Sequence, residues 1–207
     1  MIRADYELIA QGVSVDSRVL DLGCGDGQLL AHLQRVRRVS GYGIEIIPEQ
    51  VVAALRQGVS VLQVNLEEGL SGFSDHSFDT VILSQTLQAM RHTEEILREM
   101  LRVGREGIVT FPNFGYWKHR WQVLNGTMPK SVDMPYEWYD TPNVHLCTLH
   151  DFEALCARSG VQVMERRVMN PAGHTVELMP NLLGSPPTIV SASRVECHVS
   201  LWVLGRV

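Results

Sequence analysis

Length, composition and charge limit what this chain can be. It has 207 residues, of which 45% are apolar, and a net charge of −5, which together predict one domain, residues 1–207, with a sizeable core. No window approaches eighteen uninterrupted apolar residues, and the N-terminus does not resemble a secretion signal, so we expect a cytoplasmic protein with no membrane partner. The only dense basic cluster lies at residues 35–38, which argues against nucleic acid as a partner.

Six short apolar runs alternate with helical patterns along the chain. They are RVLDL, SGYGIEI, SVLQV, FDTVILS, GIVTF and VQVMERRV. This alternation is typical of parallel strands joined by crossover helices. The sequence therefore predicts an α/β fold with a mostly parallel sheet.

Three of the predicted helices have recognisable start and stop residues. Pro48 and Gly58 bound the first, and residues 93–104, which end in a glycine, form the second. Thr148 and Asp151 predict a capping box at the start of the third.

Two segments interrupt the alternation. Residues 112–147 are rich in aromatic and turn-forming residues and follow the fifth strand, where an open α/β sheet has its ligand crevice. They could form a lid, or they could simply cover the sheet edge. Residues 170–194 are interpreted as a connection of unassigned role, which places the last strand in ECHVSLWVLGRV, within a tail at 185–207.

A glycine-rich turn, GCGDG, follows the first strand at residues 23–27. Its missing side chains let the backbone bend sharply and let a ligand approach N–H groups near a helix N-terminus. Dinucleotide sites prefer G-x-G-x-x-G, whose third glycine would fall on Gln28. A dinucleotide-binding oxidoreductase is therefore the weakest of the functions that we consider.

The G-x-G-x-G spacing, with an acid two residues before the first glycine, instead resembles the motif of S-adenosylmethionine-dependent methyltransferases of the Rossmann-like class. The ligand of these proteins is cationic and lacks phosphates. Asp21 would attract such a ligand, whereas it would repel a pyrophosphate.

Residues at the ends of the next three strands complete a predicted nucleoside site. Glu45, at the end of the second strand, would bind both ribose hydroxyls, and Asn65 would hydrogen-bond the adenine amino group. Ser84 and Gln85 would face the sulfonium end, although a polar helix start explains them equally well. The predicted site consists of Asp21, Gly23, Cys24, Gly25, Gly27, Glu45, Ile46, Asn65, Leu66, Ser84 and Gln85.

No residue is assigned a catalytic role. Methyl transfer depends chiefly on alignment, but the N-P-P-Y motif of amide- and base-modifying methyltransferases is replaced here by SQTL. No G-x-S-x-G elbow for acyl transfer occurs. His76, His92 and His119 lie in polar, loop-like surroundings without a partner that would make any of them a base.

The cysteines predict neither disulfides nor a metal site. They lie far apart without a C-x-x-C pair, which favours reduced thiols. The one cluster of metal-capable side chains matches no zinc spacing, so we predict no metal, with Cys156 packed in the core. This cluster consists of His145, Cys147, His150 and Cys156.

Several longer stretches resemble the MetW family of methionine-biosynthesis proteins over roughly residues 3–184. The most specific are LSQTLQA, FPNFG and PYEWYDTPNVHLCT, with MPNLLG further on. General methyltransferases do not share the first three. Two departures are visible: Asn65 stands where the family usually has Asp, and the sequence after Gly184 does not look like the family's usual ending.

The resemblance implies a Rossmann-like class I methyltransferase fold with a mostly parallel seven-stranded sheet and helices on both faces. It also implies a role beside a homoserine O-acyltransferase (MetX-like), which would supply the nucleophilic serine. The chain would then bind S-adenosylmethionine or S-adenosylhomocysteine and act as an activator or regulatory subunit. It would contact the acyltransferase through aromatic residues Tyr116, Trp117, Tyr136, Trp138 and Tyr139.

The alternative is an S-adenosylmethionine-dependent small-molecule methyltransferase whose acceptor enters beneath residues 112–147. Because no base is assigned, that acceptor would have to be nucleophilic already, such as a thiolate or a carboxylate. The two hypotheses differ in whether a methylated product is released.

Overall fold

The computed structural model describes residues 4–131, 134–169, 176 and 178–194, the last ten of these by their backbone only. Within this part of the chain the strands are β1 Arg18–Leu22, β2 Ser40–Glu45, β3 Val61–Gln63, β4 Phe78–Ser84, β5 Gly104–Phe111, β6 Val161–Met169 and β7 Ser185–Arg194. The helices are α1 Ala4–Gly12, α2 Gln28–Arg37, α3 Pro48–Arg56, α4 Thr93–Val103, α5 Trp117–Leu124, α6 Leu149–Arg158 and α7 Pro180–Leu183. None of the described helices is long and apolar enough to cross a membrane.

The strands form one seven-stranded sheet in the order β3-β2-β1-β4-β5-β7-β6. β1 to β5 pair in parallel, whereas β7 runs antiparallel to both β5 and β6. The predicted fold class, a Rossmann-like methyltransferase fold with a mostly parallel sheet, is therefore confirmed. The direction of the connections reverses between β1 and β4, which creates a crevice at the carboxyl ends of these strands.

Both faces of the central strands β1, β4 and β5 are buried under helices, as expected for parallel strands without a solvated face. Because side chains alternate along a strand, Val19 packs into the core under α1, α2 and α3, whereas Leu20 and Leu22 pack into the core under α4 and α6. The predicted capping box at α6 is also confirmed. The Asp151 N–H donates to Thr148 Oγ1, and the Thr148 N–H donates to the Asp151 carboxylate.

The seventh strand of the described sheet lies in a stretch where the sequence predicted no strand. The seventh strand is formed by Ser185–Arg194, a stretch that the sequence analysis assigned to a connection, while the predicted strand in ECHVSLWVLGRV lies outside the described residues. Two prolines obscured β7, since proline cannot donate to a strand ladder. Pro186 and Pro187 precede the regular pairing with β5, which starts at Thr188, and lie where the register with β6 shifts.

The aromatic-rich segment, residues 112–147, leaves the sheet through a narrow neck. The Phe114 N–H donates to the Cys147 carbonyl at 3.1 Å, which brings the two ends of the segment together. The Val144 and His145 N–H groups both donate to the Gln88 carbonyl, at 2.8 and 2.9 Å. The segment is therefore attached to the connection between β4 and α4 as well as to β5.

Asn113 holds the neck against α7. Its buried amide nitrogen donates to the carbonyls of Asn181 and Gly184, at 3.3 and 3.1 Å, and its oxygen accepts from the N–H groups of Gly115 and Leu149, at 2.9 and 3.3 Å. These bonds join FPNFG to MPNLLG, two of the stretches that carry the family resemblance. His119, which the sequence analysis placed in a loop, is instead buried in α5, with Nδ1 at 3.3 Å from the Asn113 carbonyl.

Replacing Asn113 by alanine should lower the free energy of unfolding by about 2–4 kcal/mol, because several buried polar groups lose their partners. Chemical denaturation monitored by circular dichroism would measure the loss. The matched control is Asn125→Ala, since Asn125 is exposed and donates to the Trp121 carbonyl, and its replacement should stay within about 0.5 kcal/mol. Equal stability of the two variants would contradict a structural role for the bonds of Asn113.

Candidate functional site

The carboxyl ends of β1, β2 and β4 meet at the crevice where the strand order reverses. β1 is the common neighbour: Leu22 lies beside Ile44 of β2, and Asp21 lies beside Ile82 of β4. The residues that follow these strands include the glycine turn, Glu45 at the end of β2, and Gln85 after β4. The sequence analysis assigned them to one site, and the fold brings them together.

The three positions of the turn are glycines for different structural reasons. All three have positive φ, at 70° for Gly23, 55° for Gly25 and 79° for Gly27, which disfavours other residues. A Cβ added at Gly23 would lie 2.6 Å from Thr86 Oγ1, and one at Gly27 would lie 2.8 Å from the Ala54 Cβ. A Cβ at Gly25 would meet nothing within 4 Å, so the turn faces open space there.

Protein oxygens already accept from four N–H groups of the turn. The Gly23 and Cys24 N–H groups donate to the Ile44 carbonyl at 2.8 and 2.9 Å, and the Gly27 N–H donates to the Cys24 carbonyl at 3.0 Å. The Gly25 N–H donates to Glu45 Oε2 at 2.9 Å. A phosphate group would need such donors to be free, so this geometry, like Gln28 in the sequence, disfavours a dinucleotide.

Glu45 is buried and bound to the backbone on two sides. Its Oε1 accepts from the N–H groups of Ile46 and Ile47, at 2.8 and 2.9 Å, while its Oε2 accepts from Gly25. A carboxylate can accept about four hydrogen bonds, so Oε2 retains capacity for one more. A ribose that engaged Glu45 through both hydroxyls would have to displace a backbone bond, most directly the one from Gly25.

Asp21 lies deeper, with only 1% of its surface exposed. Neither carboxylate oxygen has a hydrogen-bond partner among the described residues. Burial, and secondarily the charge of Glu45, raises the pKa of Asp21 from its ordinary value of 3.8 to about 7. Two acids close together in a desolvated site favour an arriving cation, because its charge would stabilise the ionised form of Asp21.

The described cysteines are poor nucleophiles. Burial, with smaller contributions from Asp21 and Glu45, raises the pKa of Cys24 to about 12, and burial likewise raises the pKa of Cys147 to about 12 and that of Cys156 to about 11. The thiols therefore stay protonated near neutral pH. Cys156 is 1% exposed, which confirms its predicted place in the core; Cys197 lies outside the described residues. No three His, Cys, Asp or Glu side chains of the described chain form a group that could hold a metal ion.

The predicted adenine side of the site is built on a short 3₁₀ turn, Leu66–Glu68. Asn65 caps this turn: its Oδ1 accepts from the Glu67 N–H at 3.1 Å, and its Nδ2 donates to Glu68 Oε1 at 3.3 Å. Leu66 is half-buried against the core, whereas Ile46 is 53% exposed. Asn65 thus has a local structural role here, and the freely accessible apolar surface belongs to Ile46.

Thr110 of β5 fixes the turn after β4, and the sequence analysis missed it. Its Oγ1 accepts from the Gln85 N–H at 3.0 Å and lies 3.1 Å from Ser84 Oγ. Gln85 itself has a φ of 54°, which is strained for a non-glycine residue. Thr110 pairs with Ser84 across the sheet, but only the strand order, which a single sequence does not reveal, places it there.

A cavity of about 550 Å³ lies next to this turn, between the start of α4 and α6. Its lining includes Leu87, Gln88, His92, His145 and Phe152. The two histidines therefore face a shared space, beside the point where the aromatic-rich segment is attached to Gln88.

His92 has a carboxylate partner, contrary to the expectation from sequence. Its Nδ1 lies 2.8 Å from Glu67 Oε2, and the Arg91 N–H donates to Glu67 Oε1 at 2.7 Å. The Arg91 N–H bond, helped by His92, holds the pKa of Glu67 below its ordinary value. Glu67 lies 25 positions before His92 in the chain, on the turn capped by Asn65, and this separation hid the pair.

Comparisons with known proteins agree with this architecture. A family model described as "Methionine biosynthesis protein MetW" matches residues 3–189. A bifunctional methionine biosynthesis protein MetXA/MetW of Rhodopirellula baltica is 38% identical over an alignment of 174 residues that covers 79% of this chain and 28% of that protein. The chain thus spans less than a third of the length of this relative.

Solved structures show the same fold at low sequence identity. A SAM-dependent methyltransferase of Thermotoga maritima, described as a possible histamine N-methyltransferase, has 16% identity and a TM-score of 0.65, with 91% of this chain and 87% of that chain covered. A chain of the complex between the Haloferax volcanii Trm112 methyltransferase activator and a putative methyltransferase has 17% identity and a TM-score of 0.65, with 92% and 89% covered. The chain therefore belongs to the MetW family of methionine biosynthesis proteins and has the fold of S-adenosylmethionine-dependent methyltransferases.

Proposed function

We propose that this protein binds S-adenosylmethionine or S-adenosylhomocysteine at the ends of β1, β2 and β4, and acts in the cytoplasm as the activator or regulatory subunit of a homoserine O-acyltransferase. The observation that carries the proposal is the buried carboxyl group of Asp21, which has no partner among the described residues and lies beside an open glycine turn.

The charge of the site suits an S-adenosyl ligand. S-adenosylmethionine carries an ammonium and a sulfonium group, both positive, and Asp21 and Glu45 would offset these charges in a desolvated setting. Ile46 offers an exposed apolar surface to the adenine ring. Asp21, Glu45 and the engaged N–H groups of the turn all disfavour a pyrophosphate.

The acyltransferase partner is supported by the bifunctional relative, whose name joins MetXA to MetW in one protein. The described cysteines are protonated and the sequence has no G-x-S-x-G elbow, so acyl-transfer chemistry would belong to the partner. S-adenosylmethionine is formed from methionine. Its binding to this protein would therefore make the activity of the acyltransferase depend on how much methionine has been made.

A second candidate function, methyl transfer to a small molecule, is favoured by the cavity beside Gln88 and His92. Glu67 holds Nδ1 of His92 and would thereby leave Nε2 as the nitrogen that accepts a proton from an acceptor. A base in this position would extend the range of acceptors beyond those that are already ionised.

Glu45→Gln should weaken the binding of S-adenosylmethionine about tenfold, or about 1.4 kcal/mol, because the carboxylate charge is lost. Glutamine is preferable to alanine because its one oxygen can still accept from the Ile46 and Ile47 N–H groups, which leaves only the Gly25 N–H without its acceptor, whereas alanine would leave all three unpaired. Isothermal titration calorimetry would measure the affinity. Glu49→Gln, an exposed acid at the start of α3, is the matched control and should bind like the wild type. Equal affinities for Glu45→Gln and the wild type would refute a role of Glu45 in the site.

Binding of S-adenosylmethionine should release a proton from Asp21. About half of the unliganded molecules hold this proton at pH 7, because the pKa is about 7, and a nearby cation lowers that pKa. Affinity should therefore rise from pH 5.5 to pH 8 and then level off. Calorimetry at pH 7 in buffers of different ionisation enthalpy would show up to about half a proton released.

The release should fall towards zero at pH 9 and should disappear in Asp21→Asn. A binding enthalpy of the wild type that is the same in every buffer at pH 7 would contradict the assignment of Asp21.

S-adenosylmethionine should change the affinity between this protein and purified homoserine O-acyltransferase about 5- to 150-fold, which corresponds to a coupling of about 1–3 kcal/mol. The acyltransferase rate should change along the same titration. Rates and affinities that do not respond to the ligand would eliminate the regulatory role. If ³H-methyl groups appeared in a small-molecule product when a metabolite extract was added, the methyltransferase alternative would be favoured instead.

A further inference from the structure

The outer face of α5 presents a stripe of large apolar side chains to solvent. Trp117, Trp121 and Leu124 are 45%, 61% and 78% exposed, and their spacing places them on one side of the helix. His119 is the buried residue of α5. A helix of a soluble domain ordinarily turns such a stripe towards the core, whereas this stripe is exposed and has no partner among the described residues.

Two further exposed aromatic residues are linked to α5 through Lys130. Lys130 exchanges two backbone–side-chain hydrogen bonds with Gln122 of α5 and forms an ion pair with Glu137. Next to Glu137, Trp138 and Tyr139 are each 71% exposed and pack edge to face, with ring centroids 5.5 Å apart. We call this surface the aromatic face; its members are Trp117, Trp121, Leu124, Trp138 and Tyr139.

This face differs from the contact surface predicted from the sequence. Tyr116 is only 6% exposed and packs against His119, with ring centroids 5.6 Å apart, so it belongs to the support beneath the face. Trp121 and Leu124, which the sequence analysis did not select, are more exposed than Trp117. Only the helical spacing within α5 reveals that they belong to the same side.

The aromatic face stands on a fixed base. Asn113 joins the start of the segment to α7, the Phe114–Cys147 bond closes the neck, and Gln88 binds the far end. A surface that is already ordered loses little conformational entropy when it binds a partner, which favours affinity. Gln88 also donates to the Gln85 carbonyl at 2.8 Å, so the same base is bonded to the turn at the predicted sulfonium end.

The charges around the stripe argue against a second copy of this chain as the occupant. α5, with the sequence WKHRWQVL, carries exposed Lys118 and Arg120 and no acidic residue. Two copies meeting through this helix would bring like charges together, whereas a different protein can offer acids around an apolar patch. The bifunctional relative indicates the identity of this other protein, since the name of the relative joins MetXA to MetW.

We infer that the aromatic face is the surface on which homoserine O-acyltransferase docks, with Trp121 and Leu124 as its central anchors and with Lys118 and Arg120 facing acidic groups of that enzyme. The inference rests on the proposed function and adds to it the surface used. Exposed Trp residues surrounded by a polar rim are the usual centres of binding energy in such interfaces.

The test is a titration of full-length wild type and variants with purified homoserine O-acyltransferase, followed by biolayer interferometry. Trp121→Ala should weaken binding at least tenfold, and Leu124→Ala should weaken it severalfold. Leu55→Ala is the matched control, because Leu55 is 54% exposed on α3, and it should bind like the wild type. Thermal unfolding of each variant checks that the fold is retained, which exposed side chains should allow.

Three results would overturn the inference, and they are distinguishable. If wild type binds the acyltransferase and Trp121→Ala and Leu124→Ala bind equally well, the surface is wrong while the proposed partner stands. If wild type shows no binding, the partner and the surface both fail. If light scattering shows a wild-type dimer that Trp121→Ala dissociates, the occupant of the face is a second copy.

Discussion

The geometry of the site depends on one carboxylate that links two strand ends. Glu45 ends β2, and its oxygens accept from the backbone after its own strand and from Gly25 of the turn after β1. The turn is thereby held between the carbonyl of Ile44 and the side chain of Glu45. Without an acceptor at Glu45, three backbone N–H donors would lose their partner. The same carboxylate therefore sets the shape of the turn and contributes the charge of the site.

This arrangement places two acids in a nearly dry environment, and they respond to it differently. Glu45 accepts hydrogen bonds from three N–H groups. Asp21 has no donor among the described residues, and burial raises its pKa. The charge that would make the site attractive to a cation is therefore only partly developed before a ligand arrives. The glycines also differ from one another. Gly23 and Gly27 allow close packing against neighbouring side chains, whereas Gly25 borders open space.

The sequence predicted those parts of the molecule that depend on local signals. Strand periodicity located the first six strands, and the spacing of Thr148 and Asp151 located a helix start. The turn and Glu45 were recognisable because a strand, a glycine turn, a helix and a second strand follow one another closely. Contacts between distant segments were not predictable in this way, since Thr110, the Glu67–His92 pair and the bonds of Asn113 depend on strand order. β7 was missed for a local reason, because its prolines lie at an irregular position of the ladder.

The place of β7 in the sheet has a consequence for how the chain is made. Within the described part of the chain β6 pairs only with β7, and β7 separates it from β5, so β6 emerges from the ribosome before the strand that connects it to the sheet. Until β7 is synthesised, the edge of β5 and the whole of β6 are open to wrong pairing. Asn181 and Gly184, which complete the contacts of Asn113, also arrive late. The parallel half of the sheet, with the glycine turn, can form during synthesis, whereas the base of the aromatic face is completed last.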